Sequence, residues 1–141
     1  MFELSKSSKN RRKNIDPRLI AISDLAIKIT LVDFGHPQYA GFRTGEEQMK
    51  LFTDGKSMAD GINTLSDHQL GKALDFYAYV DGKASWEPAH LAMVACAFYQ
   101  SASNLGFKIE WGGLWTYKKP MFVNGIPYGW DMPHVKLVGD L

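Results

Sequence analysis

Four side chains in two short stretches of this chain could hold a metal and use it. In Ser66-Asp67-His68-Gln69-Leu70-Gly71-Lys72-Ala73-Leu74-Asp75, His68 and Asp75 offer an imidazole and a carboxylate, and in Trp130-Asp131-Met132-Pro133-His134, His134 and Asp131 offer another of each. Zinc accepts both kinds of atom, and a catalytic zinc keeps three protein ligands and leaves its fourth position to water. The expected ligands are His68, Asp75 and His134, with Asp131 as the base that works on the bound water.

These residues need elements that bring them together. Gly71 suits a tight turn after His68. Leu74 to Val80 is rich in apolar and aromatic residues, which predicts a strand. Side chains alternate along a strand, so Leu74, Phe76, Ala78 and Val80 share one face while Asp75, Tyr77 and Tyr79 share the other. Asp75 opens that strand, and the turn before it can fold His68 back beside it. Pro133 cannot donate a ladder bond and belongs at a strand start. His134 to Val138 is then a short strand, with Asp131 and His134 on either side of a kink. On residue types alone, a His near an Asp can also be a surface pair or a capped core histidine.

Ser66-x-His68-x-x-Gly71-x-Ala73-x-Asp75, followed far downstream by Trp130-Asp131-x-Pro133-His134, resembles the VanY-type zinc peptidases. That family includes D-alanyl-D-alanine carboxypeptidases and phage endolysins that cut the L-alanyl-D-glutamate bond of peptidoglycan. The resemblance puts the metal ligands on His68, Asp75 and His134 and the general base on Asp131. Gly41-Phe42-Arg43-Thr44 with Gln48 is similar to the family's Gly-aromatic-Arg-Ser/Thr segment, and Trp111-Gly112-Gly113-Leu114-Trp115 is similar to its Trp-Gly-Gly-Asp-Trp stretch, with Leu114 where an Asp often stands. The likeness runs from about Ala40 to Leu137.

Length and composition bound the rest. The chain has 141 residues, which suits one domain with one core. Apolar residues make up 45% and charged residues 22%, and the formal net charge is +1, so overall charge steers no partner. The single cysteine, Cys96, excludes an internal disulfide and reads as an inert buried thiol within an apolar run. No secretion signal is visible, because Asp24 and Lys28 break the first apolar segment. The expectation is synthesis in the host cytoplasm, with access to the wall after a separate protein opens the membrane, as the endolysin resemblance implies.

Along the chain, residues 1–14 carry Lys6, Lys9, Arg11, Arg12 and Lys13 against Glu3, which suggests a loosely ordered arm, either solvated or in weak contact with an anionic surface. It has no aromatic platform, so nucleic acid is not an expected partner. Asp16-Pro17 starts a helix whose core face is Leu19, Ile22, Ala26 and Ile29. Leu31 to Phe34 reads as a strand, and His36 as a loop residue rather than a ligand. Thr44 caps a helix from Gly45 to Asp54. Arg43 could clamp a substrate carboxylate or carbonyl, or form a surface ion pair, and Gln48 could orient it. Gly55 to Leu65 reads as a loop leading to the site; Ser66 either steadies that loop or touches the ligands. Ser85 is the expected cap of a helix that is apolar nearly all round from Leu91 to Phe98 and ends at Gly106, the buried centre of the fold. Phe107 to Trp111 alternates as a strand. Trp111, Trp115 and Tyr117 could wall a substrate groove or pack in the core, and Asn124-Gly125 signals a turn.

Helices and strands come segregated, which predicts an α+β domain: a small, mainly antiparallel sheet carrying the zinc, with helices packed on it. The resemblance implies the same arrangement, shared with the hedgehog signalling domain. One domain over residues 1–141, acting as a monomer and lacking a separate wall-binding module, is expected. The expected reaction is hydrolysis of a peptidoglycan stem peptide between L-alanine and D-glutamate, with Zn2+ activating water and polarising the carbonyl. Arg43, Gln48, Ser66, Trp111 and Trp115 are the expected substrate-side residues, and Arg43 also faces the developing oxyanion. Two other readings stay open, a D-alanyl-D-alanine carboxypeptidase and a zinc-bearing module that binds without turnover.

Overall fold

The computed structural model describes residues 1–57, 59–115, 121–123, 126–129 and 131–139. In chain order the elements are α1 (Lys6–Asn10), α2 (Pro17–Ile29), β1 (Asp33–Gly35), α3 (Gly45–Thr53), β2 (Ala73–Asp75), β3 (Tyr77–Val80), β4 (Lys83–Ser85), α4 (Pro88–Leu105), β5 (Lys108–Trp111), a 3-10 turn (Gly112–Leu114), β6 (Met121–Val123), β7 (Ile126–Tyr128) and β8 (His134–Val138). The strands form small antiparallel sheets in the orders β1-β3-β4, β2-β8-β5 and β6-β7. The fold is therefore α+β, as expected, with the site on the β2-β8-β5 sheet. No helix among the described residues is long and apolar enough to cross a membrane. The turn read at Asn124-Gly125 lies outside the described residues.

The core lies where α2 and α4 pack on the sheets. Asp16 caps α2 by accepting the Arg18 N–H at 2.9 Å, and Pro17 supplies the first-turn geometry. Leu19, Ile22 and Ala26 are fully buried and meet Leu91, Val94, Ala95, Phe98 and Ala102 of α4. Each large side chain buried in this way contributes roughly 1.5–3 kcal/mol. Ser101 Oγ donates to the Ile22 carbonyl at 2.6 Å and locks the two helices in register. Phe98 carries the contact to the sheets, stacking on Phe76 at 5.2 Å and leaning on Phe34 at 5.1 Å.

The expected single strand from Leu74 to Val80 is two strands in two sheets. The alternation itself holds, with Leu74, Phe76 and Ala78 fully buried. The chain changes partners at Phe76, whose N–H goes to the Pro133 carbonyl at 2.8 Å. Before it, β2 pairs with β8; after it, β3 pairs with β1. Phe76 is held by its ring on Phe98, so the switch is pinned by core packing.

Three further expectations need correcting. The N-terminal segment is not a loose arm. Leu4, Ser8 and Arg12 are buried, Arg12 reaches Asp24 at 2.7 Å, Arg11 donates to the His36 carbonyl at 3.0 Å, and Ser8 Oγ accepts the His36 N–H at 3.0 Å. A charge run looked solvated, but two of its arginines point inward to fixed acceptors. Ser85 ends β4; the residue at the cap of α4 is Glu87, and Ser85 Oγ only accepts the Glu87 N–H at 3.3 Å and bonds His90 Nδ1 at 2.7 Å. Cys96 is exposed, because the apolar run of α4 is wider than the face that α2 and the sheets can cover, and Met93 beside it is 44% exposed.

Deleting residues 1–13 is therefore expected to destabilise the whole domain by at least about 3 kcal/mol, from lost burial of Leu4 and an orphaned His36 N–H. Thermal denaturation checks this. An unchanged melting temperature would restore the reading of a solvated arm.

Candidate active site

The site begins with strand register. In the antiparallel pair of β2 and β8, Asp75 lies opposite His134, and directly opposed side chains on one face meet. His134 Nδ1 stands 3.0 Å from Asp75 Oδ1. His68 arrives from the turn ahead of β2: Gly71 N–H goes to the His68 carbonyl at 3.2 Å, and Gly71 takes a left-handed φ of 68°. His68 Nε2 lies 3.2 Å from His134 Nδ1 and 3.2 Å from Asp75 Oδ1. Three ligand-type atoms thus converge, and His68, Asp75 and His134 form a group that could hold a metal ion.

The His68 imidazole is oriented from behind. His68 Nδ1 donates to the Gly41 carbonyl at 2.9 Å, so its lone pair at Nε2 faces the other two residues. Ser66 Oγ accepts the His68 N–H at 3.1 Å. Ser66 therefore steadies the turn, and its hydroxyl is spent on the backbone. Asp75 uses its two oxygens differently. Oδ1 faces the imidazoles, while Oδ2 accepts from Arg43 Nη2 at 3.1 Å. Burial opposes ionisation of Asp75, but the charge on His68 and the bond from His134 outweigh it and hold the carboxyl far below its usual range.

Arg43 is an ion pair, as one reading allowed, but inside the site rather than on the surface. It also donates through Nε to the Tyr39 carbonyl at 2.9 Å and through Nη1 to Gln48 Oε1 at 3.1 Å. Gln48 is fully buried and passes its own amide hydrogens to Ser57 Oγ at 2.7 Å and the Ala59 carbonyl at 2.8 Å. It orients Arg43, as expected, and does not face substrate. A capping box between Thr44 and Glu47 starts α3 immediately after Arg43, which places Gln48 on the turn facing it.

Asp131 lies 3.8 Å from His134 Nδ1 through Oδ2, beside the convergence point and outside it. Burial and the nearby Asp75 charge raise its carboxyl to about 6 despite the pull of His134. Its position depends on Gly112. A side chain at Gly112 would collide with the Asp131 backbone, whose N–H goes to the Gly112 carbonyl at 3.3 Å. Trp111 is not a groove wall. Its ring is buried in the core and its Nε1 donates to the Met132 carbonyl, which fixes the 131–134 turn from inside. Trp115 does reach the site, with its ring 5.1 Å from that of His134. Trp130 and Tyr117 lie outside the described residues.

These groups line one cleft of about 810 Å³, together with Lys56, Asp67, Glu110 and Lys136. Burial disfavours a charged His134 ring, but Asp67 and Asp75 outweigh it and lift its pKa to about 9. The carboxylates thus create a demand for positive charge at the convergence point.

Two contributors escaped the sequence reading. His36 is fully buried; its Nδ1 donates to the Asp75 carbonyl at 2.7 Å and its Nε2 accepts from Ser23 Oγ at 2.8 Å. Burial lowers its pKa to about 4, so it is a neutral strut for the Asp75 backbone. Asp67, with Oδ2 3.8 Å from His134 Nε2, is the other. Only its place next to His68 hinted at a role.

The family model for phage L-alanyl-D-glutamate peptidase matches residues 1–138, so the N-terminal segment falls inside the matched unit. The L-alanyl-D-glutamate peptidase of Escherichia phage T5 is 29% identical over 139 residues, spanning 97% of this chain and 98% of that protein. The crystal structure of the Serratia marcescens L-Ala D-Glu endopeptidase ChiX matches with a TM-score of 0.76 at 28% identity, covering 96% of this chain and 90% of that one.

Gln48→Leu keeps the volume and removes three hydrogen bonds. It is expected to cost about 2–4 kcal/mol by leaving Arg43 and its loop partners unpaired, read as a shift in the denaturant midpoint. A loss below about 1 kcal/mol would mean the loop satisfies Arg43 without Gln48.

Proposed function

This chain belongs to the phage L-alanyl-D-glutamate peptidase family, and from its cleft we infer that it is a zinc-dependent endopeptidase that cuts peptidoglycan stem peptides between L-alanine and D-glutamate during host-cell lysis. The observation that carries this is the convergence of His68 Nε2, His134 Nδ1 and Asp75 Oδ1 at 3.0–3.2 Å from one another with the Asp131 carboxylate alongside. Bonds of about 2.0–2.1 Å to zinc place tetrahedral corners about 3.3 Å apart, so the spacing supports that ion. The two imidazoles and one carboxylate are also the donor set of a catalytic zinc with an open position.

Zinc held by these residues would supply Lewis acidity and a more acidic water. The chain's own groups do the rest. Asp131 takes the proton of the attacking water and returns it to the leaving amine. Arg43 holds Asp75 in place and keeps positive charge beside the reacting carbonyl. Trp115 walls the cleft next to His134. A binding module without turnover would need no carboxylate in the place of Asp131. Action as a monomer is part of the same reading. The same reading has the enzyme reach the wall once the membrane has been opened. With Arg11 and Arg12 turned inward, any weak anionic-surface contact would rest on Lys6, Lys9 and Lys13.

Digestion of purified muropeptides followed by mass spectrometry tests the substrate. The expected products carry a new L-alanine carboxyl end and a new D-glutamate amine. Release of free D-alanine alone would favour the carboxypeptidase reading.

Asp131→Asn keeps the shape and cannot accept the proton. It is expected to bind zinc and fold normally while losing about 100- to 10,000-fold in turnover. Loss of zinc would make Asp131 a ligand; near-normal turnover would move the base elsewhere, with Glu110 next in line along the cleft.

A further inference from the structure

The two imidazoles of the site are not equally supported. His68 has its outer nitrogen bonded to the Gly41 carbonyl at 2.9 Å. His134 turns Nδ1 to the convergence point, and its outer nitrogen, Nε2, is buried without a hydrogen bond. A neutral imidazole that gives its lone pair to a metal at Nδ1 must carry its hydrogen at Nε2. That hydrogen needs an acceptor. Asp67 Oδ2 stands 3.8 Å from it.

Asp67 is free for this task. Its backbone carbonyl accepts the Leu70 and Lys72 N–H groups that shape the turn, at 3.2 and 3.0 Å, so the turn does not need its carboxylate. Lys136 lies two residues beyond His134 on β8, hence on the same face, and its Nζ is 3.8 Å from Asp67 Oδ2. The carboxylate is thus suspended between the His134 ring and the Lys136 ammonium.

We propose that Asp67 is a positioning residue: it receives the Nε2 hydrogen of His134, thereby fixing the ring with Nδ1 toward the metal and raising its basicity as a ligand. Carboxylate partners of metal-binding histidines commonly act in this way, and their loss weakens metal affinity about 10- to 100-fold. The role rests on the zinc reading given above. Asp67 acts through the His134 ring rather than on the reacting atoms.

The test uses the full chain and zinc itself. Zinc affinity is measured by competition with a chromophoric chelator for the wild type, Asp67→Ala and Asp67→Asn. The His134 ring hydrogen is followed by nitrogen–proton NMR in the zinc-loaded proteins. The expected result is zinc binding weakened about 10- to 100-fold in Asp67→Ala, a smaller loss in Asp67→Asn, which still offers an acceptor oxygen, and faster exchange of the His134 Nε2 hydrogen in Asp67→Ala. Melting temperatures without zinc control for folding, and Asp67→Asn carries the test if Asp67→Ala fails to fold. Wild-type affinity and an unchanged ring signal in both variants would overturn the role of Asp67 while leaving the zinc reading intact. A wild-type chain that takes up no zinc would overturn the zinc reading itself, and this role with it.

Discussion

A carboxylate is not taken into a protein interior alone. Asp75 is the residue on which the structure pays this cost, and nearly everything around the site follows from it. Its Oδ2 needs Arg43, and Oδ1 needs the two imidazoles. Its backbone is held as firmly: the N–H goes to the Ala40 carbonyl at 2.9 Å, and the carbonyl receives His36 Nδ1 at 2.7 Å. Each partner then needs a partner. Arg43 calls for Gln48 and Tyr39, and His36 calls for Ser23 and, through its N–H, Ser8. A chain of satisfied polar groups runs from the N-terminal segment to the cleft because unpaired buried groups are expensive.

That chain of bonds works only because the backbone changes sheets at Phe76. Had Leu74 to Val80 stayed in one sheet, β8 could not lie against β2 while β1 lay against β3. The register that sets Asp75 opposite His134 would then be lost. Phe76 holds the switch with a ring that is wholly buried on Phe98 of α4. The geometry of a polar site is therefore secured by an apolar contact on the far side of the strand. Gly112 acts in the same spirit on the other arm, since only a residue without a side chain lets the Asp131 backbone come so close.

The parts legible in the sequence were those whose physics is local. Asp16-Pro17, Thr44 and Gly106 mark helix ends through their own turns, and the structure bears them out. Alternation along Leu74 to Ala78 named the buried face correctly, and the alternation from Phe107 to Trp111 marked a strand that the structure bears out. The grouping of His68, Asp75 and His134 was readable because those residue types share one chemistry. What was not legible depends on distant partners. His36 looks like any loop histidine until Ser23 and the Asp75 carbonyl arrive. Arg11 and Arg12 look solvated until Asp24 and the His36 carbonyl are in place. Trp111 looked equally fit for groove or core, and the Met132 carbonyl decided for the core.

The electrostatics of the cleft link the metal reading to the substrate reading. Among the described residues that line it, four carboxylates (Asp67, Asp75, Glu110 and Asp131) face three fixed cations (Arg43, Lys56 and Lys136), and a proton on His134, whose pKa is lifted to about 9, brings the balance to zero without the ion. A divalent ion at the convergence point, displacing the His134 proton, would turn that balance to plus one. In a partly desolvated cleft the sign of the local charge matters more than the near-neutral charge of the whole chain. A stem peptide bearing the free carboxylate of D-glutamate would meet no net attraction in the first state and be drawn in by the second. On the zinc reading proposed above, the acids that make the site demand a cation would also tie substrate capture to its presence. On that account the ion contributes to binding as well as to bond breaking, and Arg43, committed to Asp75, need not be the only positive group that the substrate meets.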